Sequence, residues 1–232
     1  MVDKSETPEM FTAIARRYDL LNHVLSLNVD RSWRRALVDM AQVADGDDVL
    51  DVATGTADVA IEFAGRSGAR KVVGLDRSAG MLEVAGEKLR RRGLEERIEV
   101  VEGDALRMPF EDRSFDAVTI AFGLRNLADY GAGVREMTRV LKPGGRLLVL
   151  EFFPPTGAAF LRLYKLYLKT VLPIVGRAVS GSAEAYHYLS SSIRGFATHD
   201  ELRGFFQAAG LERTRARRLT GGISYIYRGI RP

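Results

Sequence analysis

Short apolar runs alternate with stretches of helical periodicity through most of the chain. Five runs have the length and β-branched content of buried strands: 49–52, 71–75, 98–102, 115–121 and 146–152. Apolar residues recur at helical spacing between them, in 57–66, 79–92 and 130–141. Strands that alternate with helices favour parallel βαβ units. We therefore predict an α/β fold of three layers around a mostly parallel sheet.

The first 45 residues carry helical patterns that precede the first strand. Pro8 is typical of the first position of a helix, and helical spacing continues to Tyr18. Residues 18–23 break the pattern, and a second helix is predicted from about residue 30 to 40. Because these helices come before the sheet, we expect them to cover its ligand edge.

The C-terminal third begins with an unusually apolar segment. Residues 160–179 combine leucine, valine and tyrosine with interspersed arginine and lysine. Such a helix could lie in a membrane interface, cover a hydrophobic substrate, form a subunit contact in a homodimer, or pack beside the sheet. Residues 198–210 predict a capped helix, and residues 212–219 and 223–229 predict a closing antiparallel hairpin. The predicted sheet therefore has seven strands.

The length of 232 residues suits one α/β domain with a sizeable core. We divide it into four parts: an N-terminal helical cover (1–45), a cofactor-binding core (46–152), a helical substrate lid (153–200), and a closing helix with the hairpin (201–232). The polar N-terminus predicts no secretory signal, and no apolar run reaches the roughly 18 residues of a spanning helix.

Composition excludes several classes of site. The chain has no cysteine, so disulfides and thiolate metal sites are excluded, and its three histidines lack metal-ligand spacing. We expect no metal. The net charge of +4 is compatible with a solvated basic surface, an anionic membrane or nucleic acid.

Acidic residues follow the predicted strands. Asp51 and Asp58 flank the first turn, Asp76 follows the second strand, and Asp104 follows the third. Gly55 stands in the first turn without the further glycines that a dinucleotide-binding loop needs. Ligands of open α/β sheets bind at the carboxyl ends of strands. Acids placed there suit a cationic nucleoside with a diol and an amine, and S-adenosylmethionine has these groups.

Several motifs give the chain a family resemblance. The chain resembles the class I methyltransferases in five motifs: DVATGT (51–56), GDA (103–105), FGLRN (122–126), RVLKPGG (139–145) and LVLEF (148–152). A narrower similarity, to the ubiquinone/menaquinone biosynthesis C-methyltransferase family, rests on FGLRN, YDLLN (18–22), AYHYL (185–189) and residues 192–193. The match runs from about residue 11 to the C-terminus.

The resemblance implies a Rossmann-like class I methyltransferase fold and an S-adenosylmethionine-dependent C-methyltransferase. Its implied acceptor is a polyprenylated quinol, with demethylmenaquinol favoured over a ubiquinone-pathway benzoquinol. The enzyme is expected in the cytoplasm, bound peripherally to the inner face of the cytoplasmic membrane. No nucleic-acid partner is expected.

The same resemblance suggests site residues. Those for the cofactor are Asp51, Thr54, Gly55, Thr56, Asp76, Arg77, Asp104, Ala105 and Ala121. Asp76 can accept from both ribose hydroxyls, and Asp104 from the adenine amine. Those for the substrate are Tyr18, Phe122 and Tyr188.

Two positions depart from the family pattern. Ala57 stands where many members have glycine, and it would be strained if its φ is positive. Ala121 stands where many members have serine, which would remove one hydrogen bond to the cofactor.

Methyl transfer from a sulfonium is an in-line displacement, which needs positioning and exclusion of water. A quinol carbon attacks well only after a ring hydroxyl loses its proton. Arg125, in the loop after the fourth strand, is expected to stabilise the phenolate, with Asn126 orienting a water or a quinol oxygen. A structural salt bridge to a strand-end acid is the alternative for Arg125. His187, beside Tyr186, is the alternative base.

Two other functions stay open at this point. One is a small-molecule methyltransferase of different specificity. The other is a cofactor-binding scaffold without turnover in a quinone-biosynthetic assembly. An RNA methyltransferase is disfavoured, because the catalytic Asn-Pro-Pro-Tyr type of tetrapeptide is absent from the sequence.

Overall fold

The computed structural model describes residues 7–155, 157, 161, 162, 166, 170, 191–193 and 195–232. Its helices are α1 (Thr7–Leu25), α2 (Val29–Ala41), α3 (Asp58–Arg66), α4 (Ala79–Arg92), α5 (Tyr130–Val140) and α6 (His199–Ala208). Its strands are β1 (Asp48–Val52), β2 (Lys71–Asp76), β3 (Ile98–Glu102), β4 (Phe115–Ala121), β5 (Leu141–Phe152), β6 (Glu212–Leu219) and β7 (Ser224–Ile230).

One sheet contains all seven strands, in the order β3-β2-β1-β4-β5-β7-β6. The strands β1 to β5 pair in parallel, whereas β7 pairs antiparallel with both β5 and β6. The strand order reverses beside β1, where β2 leads one way and β4 the other. Crevices at such a reversal are the usual ligand sites of open α/β sheets. The predicted fold class is confirmed.

Each face of the sheet has its own apolar core. Trp33 of α2, Phe63 of α3 and Leu89 of α4 pack on one face, with Leu148 and Ile226 from the sheet. The other face packs mainly against α5 and α6, through residues such as Met137, Leu202 and Phe206. Central strands covered on both sides read as continuous apolar runs, which is why β1 and β5 were readable in the sequence.

The predicted break at residues 18–23 is wrong, because α1 continues to Leu25. The polar residues that interrupt the apolar pattern have partners in the protein. Asp19 contacts Thr56 and Lys88, and His23 contacts Asp30. In the sequence, polar residues that interrupt an apolar helical pattern can mark the end of a helix or a helix face that contacts charged groups. The sequence alone does not distinguish the two.

Two smaller boundaries also differ. The helix predicted from Ala57 begins at Asp58, and Ala57 caps it with a positive φ of 67°. The helix predicted to reach Leu141 ends at Val140, because Leu141 already pairs with Phe115 of β4 before the Pro-Gly-Gly turn.

Most of the apolar segment 160–179 lies outside the described residues, as do Tyr186, His187 and Tyr188. The structure therefore does not test the predicted lid or membrane helix, or the predicted site roles of these three residues. Among the described residues, no helix combines the length and apolar character needed to cross a membrane.

Candidate functional site

A cavity of about 300 Å³ opens at the carboxyl edge of the sheet. Residues that follow β1, β2, β3 and β4 form its floor, and α1 covers it with Phe11 and Tyr18. Nine of the predicted residues line it: Tyr18, Gly55, Asp76, Arg77, Asp104, Ala105, Ala121, Phe122 and Asn126. Asp51, Thr54 and Thr56 line an adjoining pocket of about 30 Å³, which shares Tyr18, Gly55 and Phe122 with the cavity.

Asp76 is held at the cavity wall by backbone amides. The Gly55 amide donates to Oδ2 at 2.8 Å, and the Ser78 amide donates to Oδ1 at 2.9 Å. Gly55 has a φ of +57°, a conformation that glycine adopts without steric cost. Burial raises the pKa of Asp76 above its usual range. The Arg77 amide also donates to this carboxylate. A carboxylate has about four lone-pair sites, so it can still accept from a ribose hydroxyl.

Asp104 follows β3 and also lines the cavity. Its Oδ1 accepts from the Leu106 amide at 2.9 Å, and its Oδ2 is 3.9 Å from Nη1 of Arg77. Met81 and Leu106 add apolar surface to the same cavity. Met81 and Leu106 were not predicted from the sequence, because a single apolar residue near the end of a strand does not distinguish a ligand-binding position from an ordinary core position.

Asp51 is buried beneath the adjoining pocket, with 1% of its surface exposed. The hydroxyls of Thr54 and Thr119 donate to its two oxygens at 2.7 and 2.8 Å. Burial nevertheless raises the pKa of Asp51 to about 7. The carboxyl can therefore take up or release a proton near neutral pH.

An ion-pair network, which the sequence reading also missed, joins α1 and α2 to the core. Lys88 of α4 lies 2.5 Å from Asp19, 2.8 Å from Asp58 and 3.0 Å from the Thr56 hydroxyl. Thr56 in turn donates to Asp19. The hydroxyl of Thr56 is thus already bound within the protein, although it lines the small pocket.

Arg34 of α2 extends this network. It pairs with Asp30 one turn away and lies 3.5 Å from Asp58, while Asp30 also contacts His23 at 2.9 Å. Burial would raise the pKa of Asp58, but Arg34 and Lys88 outweigh it and hold that pKa below its usual range. The i,i+4 spacing of Asp30 and Arg34 was a visible signal, whereas nothing marked Lys88 as buried.

Arg125 is buried beside β5. Its Nη1 lies 2.9 and 3.0 Å from the two carboxylate oxygens of Glu151 and also donates to the Phe122 carbonyl. Glu151 has no exposed surface. The salt bridge to a strand-end acid, which the sequence left as an alternative, is thus present. Arg125 does not line the cavity, but its neighbour Asn126 does.

The Tyr18 hydroxyl is close to charged groups of both signs. Burial, the largest influence, raises the pKa of this hydroxyl. A hydrogen bond with the Asn22 side chain and the positive charges of Arg125 and Arg34 lower that pKa. The negative charge of Asp76 raises it. The phenol therefore stays protonated at neutral pH. A protonated hydroxyl at this position can donate a hydrogen bond to a bound molecule.

Three residues without the freedom of glycine have positive φ at the cavity edge. Ala53 has a φ of 52°, Ala57 of 67° and Phe122 of 58°. Phe122 also stacks on Phe152 at a ring distance of 4.4 Å, and Trp33 packs against both rings. Strained backbone of this kind clusters at functional sites, where surrounding packing holds it in place.

S-adenosylmethionine fits the groups found here. Asp76 and Asp104 both line the cavity, and the ionisable Asp51 lines the adjoining pocket. Gly55, Ala105 and Ala121 have small side chains or none, which leaves room for a nucleoside. The donor set is rich in carboxylates, as a ligand with cationic groups requires.

Comparison with known proteins identifies the family. Residues 1–231 match the model of the ubiE/COQ5 methyltransferase family. The demethylmenaquinone methyltransferase of Deinococcus radiodurans is 51% identical, over 95% of this chain and 90% of its own length. The enzyme of the same name from Thermus thermophilus is 47% identical, over 96% of this chain and 100% of its own length.

A solved structure supports the fold. A putative S-adenosyl-L-methionine-dependent methyltransferase from Methanococcus maripaludis superposes with a TM-score of 0.65 at 18% identity, covering 94% of this chain and 91% of its own. These matches confirm the predicted family resemblance, enzyme class and cofactor. The roles of individual site residues stay predictions. The chain belongs to the ubiE/COQ5 methyltransferase family of S-adenosylmethionine-dependent enzymes.

Proposed function

We propose that this enzyme methylates a ring carbon of a prenylated quinol, with demethylmenaquinol as its acceptor. The names of the relatives support this acceptor. The observation that carries the proposal is that carboxylates and apolar side chains line the same cavity. Asp76 and Asp104 supply the carboxylates, while Phe11, Phe122 and Leu127 supply apolar surface for an aromatic, lipid-bearing acceptor.

The cofactor supplies a methyl group on a positively charged sulfur. In the proposed arrangement Asp76 accepts from the ribose hydroxyls and Asp104 accepts from the adenine amine. Asp51, below the small pocket, faces the cationic amino-acid end. These three acids fix the donor, so that the acceptor carbon can approach in line with the breaking bond.

The acceptor side must remove a proton from a quinol hydroxyl. Arg125 cannot serve as a base, because a guanidinium stays protonated. Its Nη1 is already bound to Glu151, so the pair is close to neutral overall. We assign Arg125, which lies behind the cavity wall next to Asn126, the electrostatic stabilisation of the developing phenolate. A water molecule in the cavity takes up the hydroxyl proton and passes it to solvent. Asn126 lines the cavity and orients the quinol oxygen, with Tyr18 as a second donor.

The reaction is proposed to take place at the inner face of the cytoplasmic membrane, where such a quinol resides. Helix α1 supports this placement. Leu20, Val24 and Leu27, within and just after α1, are 55%, 39% and 79% exposed, while Phe11 and Tyr18 of the same helix line the cavity. Apolar side chains exposed next to a site mark contacts with other apolar material. The enzyme would thus bind peripherally.

The test is a methyl-transfer assay. Purified protein is incubated with isotopically labelled S-adenosylmethionine and a short-tailed demethylmenaquinol under reducing conditions, and the lipid extract is analysed by mass spectrometry. The expected product carries one labelled methyl on a ring carbon. A matched benzoquinol and a naphthoquinol without a tail are run in parallel, and each should react more slowly.

Arg125→Ala is the informative variant. We expect turnover to fall by about 100-fold, the scale of one lost electrostatic donor, while affinity for S-adenosylhomocysteine stays the same. Transfer to none of the quinols, despite demonstrated cofactor binding, would contradict the proposal. Unchanged turnover in Arg125→Ala would remove this residue from the catalytic group.

A further inference from the structure

The closing hairpin holds all of the net positive charge of the chain. Residues 212–232 contain six arginines and one glutamate, a net charge of +5, whereas the whole chain has a net charge of +4. The other 211 residues therefore sum to −1. The basic character of this protein is a property of one structural element.

Four arginines share one face of the sheet around this hairpin. Arg215 of β6 lies directly opposite Arg228 of β7, and Arg217 follows Arg215 on the same face. Arg146 of β5 stands two residues before Leu148, which pairs with Arg228. Side chains of directly paired residues point to the same side of a sheet. We call Arg146, Arg215, Arg217 and Arg228 the arginine face.

Carboxylates do not balance this face. Arg146 pairs with Asp47 at 2.6 Å, but no carboxylate of the described residues lies within 4 Å of Arg215, Arg217 or Arg228. Burial and the positive charges of Arg146 and Arg215 lower the pKa of Arg228. Like charges placed directly opposite each other are destabilising. An anion bound to this face would remove that repulsion.

The arginine face is open at the edge of the sheet. β6 is an edge strand, and its residues 212–218 are exposed. Leu148 and Ile226 share this face and belong to the core under α2 and α3. Helix α1, which carries the exposed apolar residues Leu20 and Val24, packs on α4 in the same layer. Basic and apolar surface thus occur on one side of the molecule.

We propose that the arginine face docks the enzyme on an anionic phospholipid bilayer. The choice of a bilayer rests on the proposed function, because a lipid quinol is held there. Guanidinium groups bind phosphate oxygens in bidentate geometry, and basic residues near an anionic leaflet are attracted to it. Nucleic acid fits less well, because the sequence of β6 has no aromatic residue on which bases could stack.

The experiment is co-sedimentation of the full chain with vesicles. Vesicles of phosphatidylcholine alone are compared with vesicles that also contain phosphatidylglycerol, at low and high salt. The test variant is R215Q/R217Q/R228Q. The matched control is R90Q/R91Q/R92Q, which removes the same charge from exposed positions at the end of α4.

We expect wild type to bind the anionic vesicles and to dissociate at high salt. The test variant should bind roughly 100-fold more weakly, because each arginine near the surface contributes about a fivefold gain, and the control should bind like wild type. Circular dichroism and affinity for S-adenosylhomocysteine verify that each variant is folded. If the triple variant does not fold, Arg217→Gln alone should show about a fivefold loss.

Several outcomes would overturn the inference. These are equal binding of wild type to neutral and anionic vesicles, equal losses in the test and control variants, or a folded test variant that stays in solution without vesicles and binds anionic vesicles as well as wild type does. Binding of an oligonucleotide to wild type and to the test variant is measured as well. If the test variant loses oligonucleotide binding but keeps vesicle binding, the arginine face is a nucleic-acid surface instead. Transfer to a short-tailed quinol without vesicles is measured separately. It should be unchanged in the test variant, and its absence in wild type would count against the proposed function alone.

Discussion

Ala57 illustrates how a single residue can conflict with the backbone it occupies. It caps α3 with a φ of 67°, and its side chain is fully buried. The left-handed region costs a residue with a Cβ about 1 kcal/mol or more, and glycine avoids this cost. The sequence alone could name the position as a departure from the family, but the sign of φ required the structure.

Ala57→Gly should therefore stabilise the protein by about 1 kcal/mol. The free energy of unfolding is measured in urea for both proteins. Ala13→Gly is the matched control, because Ala13 is exposed in the interior of α1 and should lose about 1 kcal/mol through helix propensity. If both substitutions destabilise equally, then Ala57 is not strained.

Asp51 is predicted to make cofactor binding depend on pH. Its pKa of about 7 lies above the usual 3.8, so in the free protein the carboxyl is largely protonated below pH 7. The charged form is the one that attracts an ammonium group. For folding, the sign is the reverse of the usual acidic case: the contribution of Asp51 to stability falls as pH rises from about 4 to 7.

Affinity for S-adenosylhomocysteine, which carries that ammonium, should consequently rise with pH up to about 7 and then level off. The largest slope is about tenfold per pH unit. Calorimetry at several pH values between about 5.5 and 8 measures it. Asp51→Asn should show little of this dependence. A flat profile for wild type would mean that Asp51 does not interact with the cationic end of the ligand.

At the scale of elements, most strands and helices were predictable because their buried apolar residues recur at the spacing of a strand or a helix. β3, β4 and α4 have the predicted bounds, and Thr198 caps α6 as expected. α1 was not predicted to its full length, because its second half contributes Asp19 and His23 to the ion-pair network. Such partners come from distant positions, and a local pattern does not contain them.

Lys88→Met should release α1 from the core. The substitution leaves Asp19 and Asp58 without the ammonium group that lies 2.5 and 2.8 Å away. Removing one member of a buried ion pair costs roughly 3 to 5 kcal/mol. Hydrogen exchange should show faster exchange of α1 amides, while β1 and β4 keep their protection.

The matched control is Lys71→Met. Lys71 pairs with Glu99 at 2.5 Å, but the two side chains are 45% and 50% exposed. Exposed pairs contribute at most about 1 kcal/mol, so this variant should remain close to wild type. Similar losses in the two variants, or faster exchange throughout the sheet in Lys88→Met, would show that the network does not act on α1 in particular.

For the whole molecule, topology was easier to predict than the site. The parallel strands and the antiparallel C-terminal hairpin followed from βαβ alternation and the hairpin pattern, and the acids at strand ends followed from the edge where parallel strands meet. The order of the strands in the sheet required the structure. The partners of those acids did not follow. Glu151 under Arg125, and Arg34 beside Asp58, are contacts between residues far apart in sequence. Long-range pairing of this kind depends on the packed fold.

Trp33, the only tryptophan of the chain, allows the cohesion of the molecule to be measured. Its indole donates to Thr220 at 2.8 Å and packs against Phe122 and Phe152. Trp33 therefore joins α2, to which it belongs, to the cavity edge and to the turn between β6 and β7. Its fluorescence reports on the junction of these parts, whereas far-UV circular dichroism reports on all helices and strands.

We expect the two signals to change together in urea, as one cooperative transition, because the sheet and the core under α2 and α3 are continuous across this junction. S-adenosylhomocysteine at about 100 times its dissociation constant should add about 2.7 kcal/mol to the unfolding free energy from both signals. A fluorescence transition that precedes the loss of circular dichroism would separate α2 and the hairpin from the rest of the sheet. Stabilisation by the ligand would then be confined to the later transition, and the cofactor cavity would belong to the more stable part.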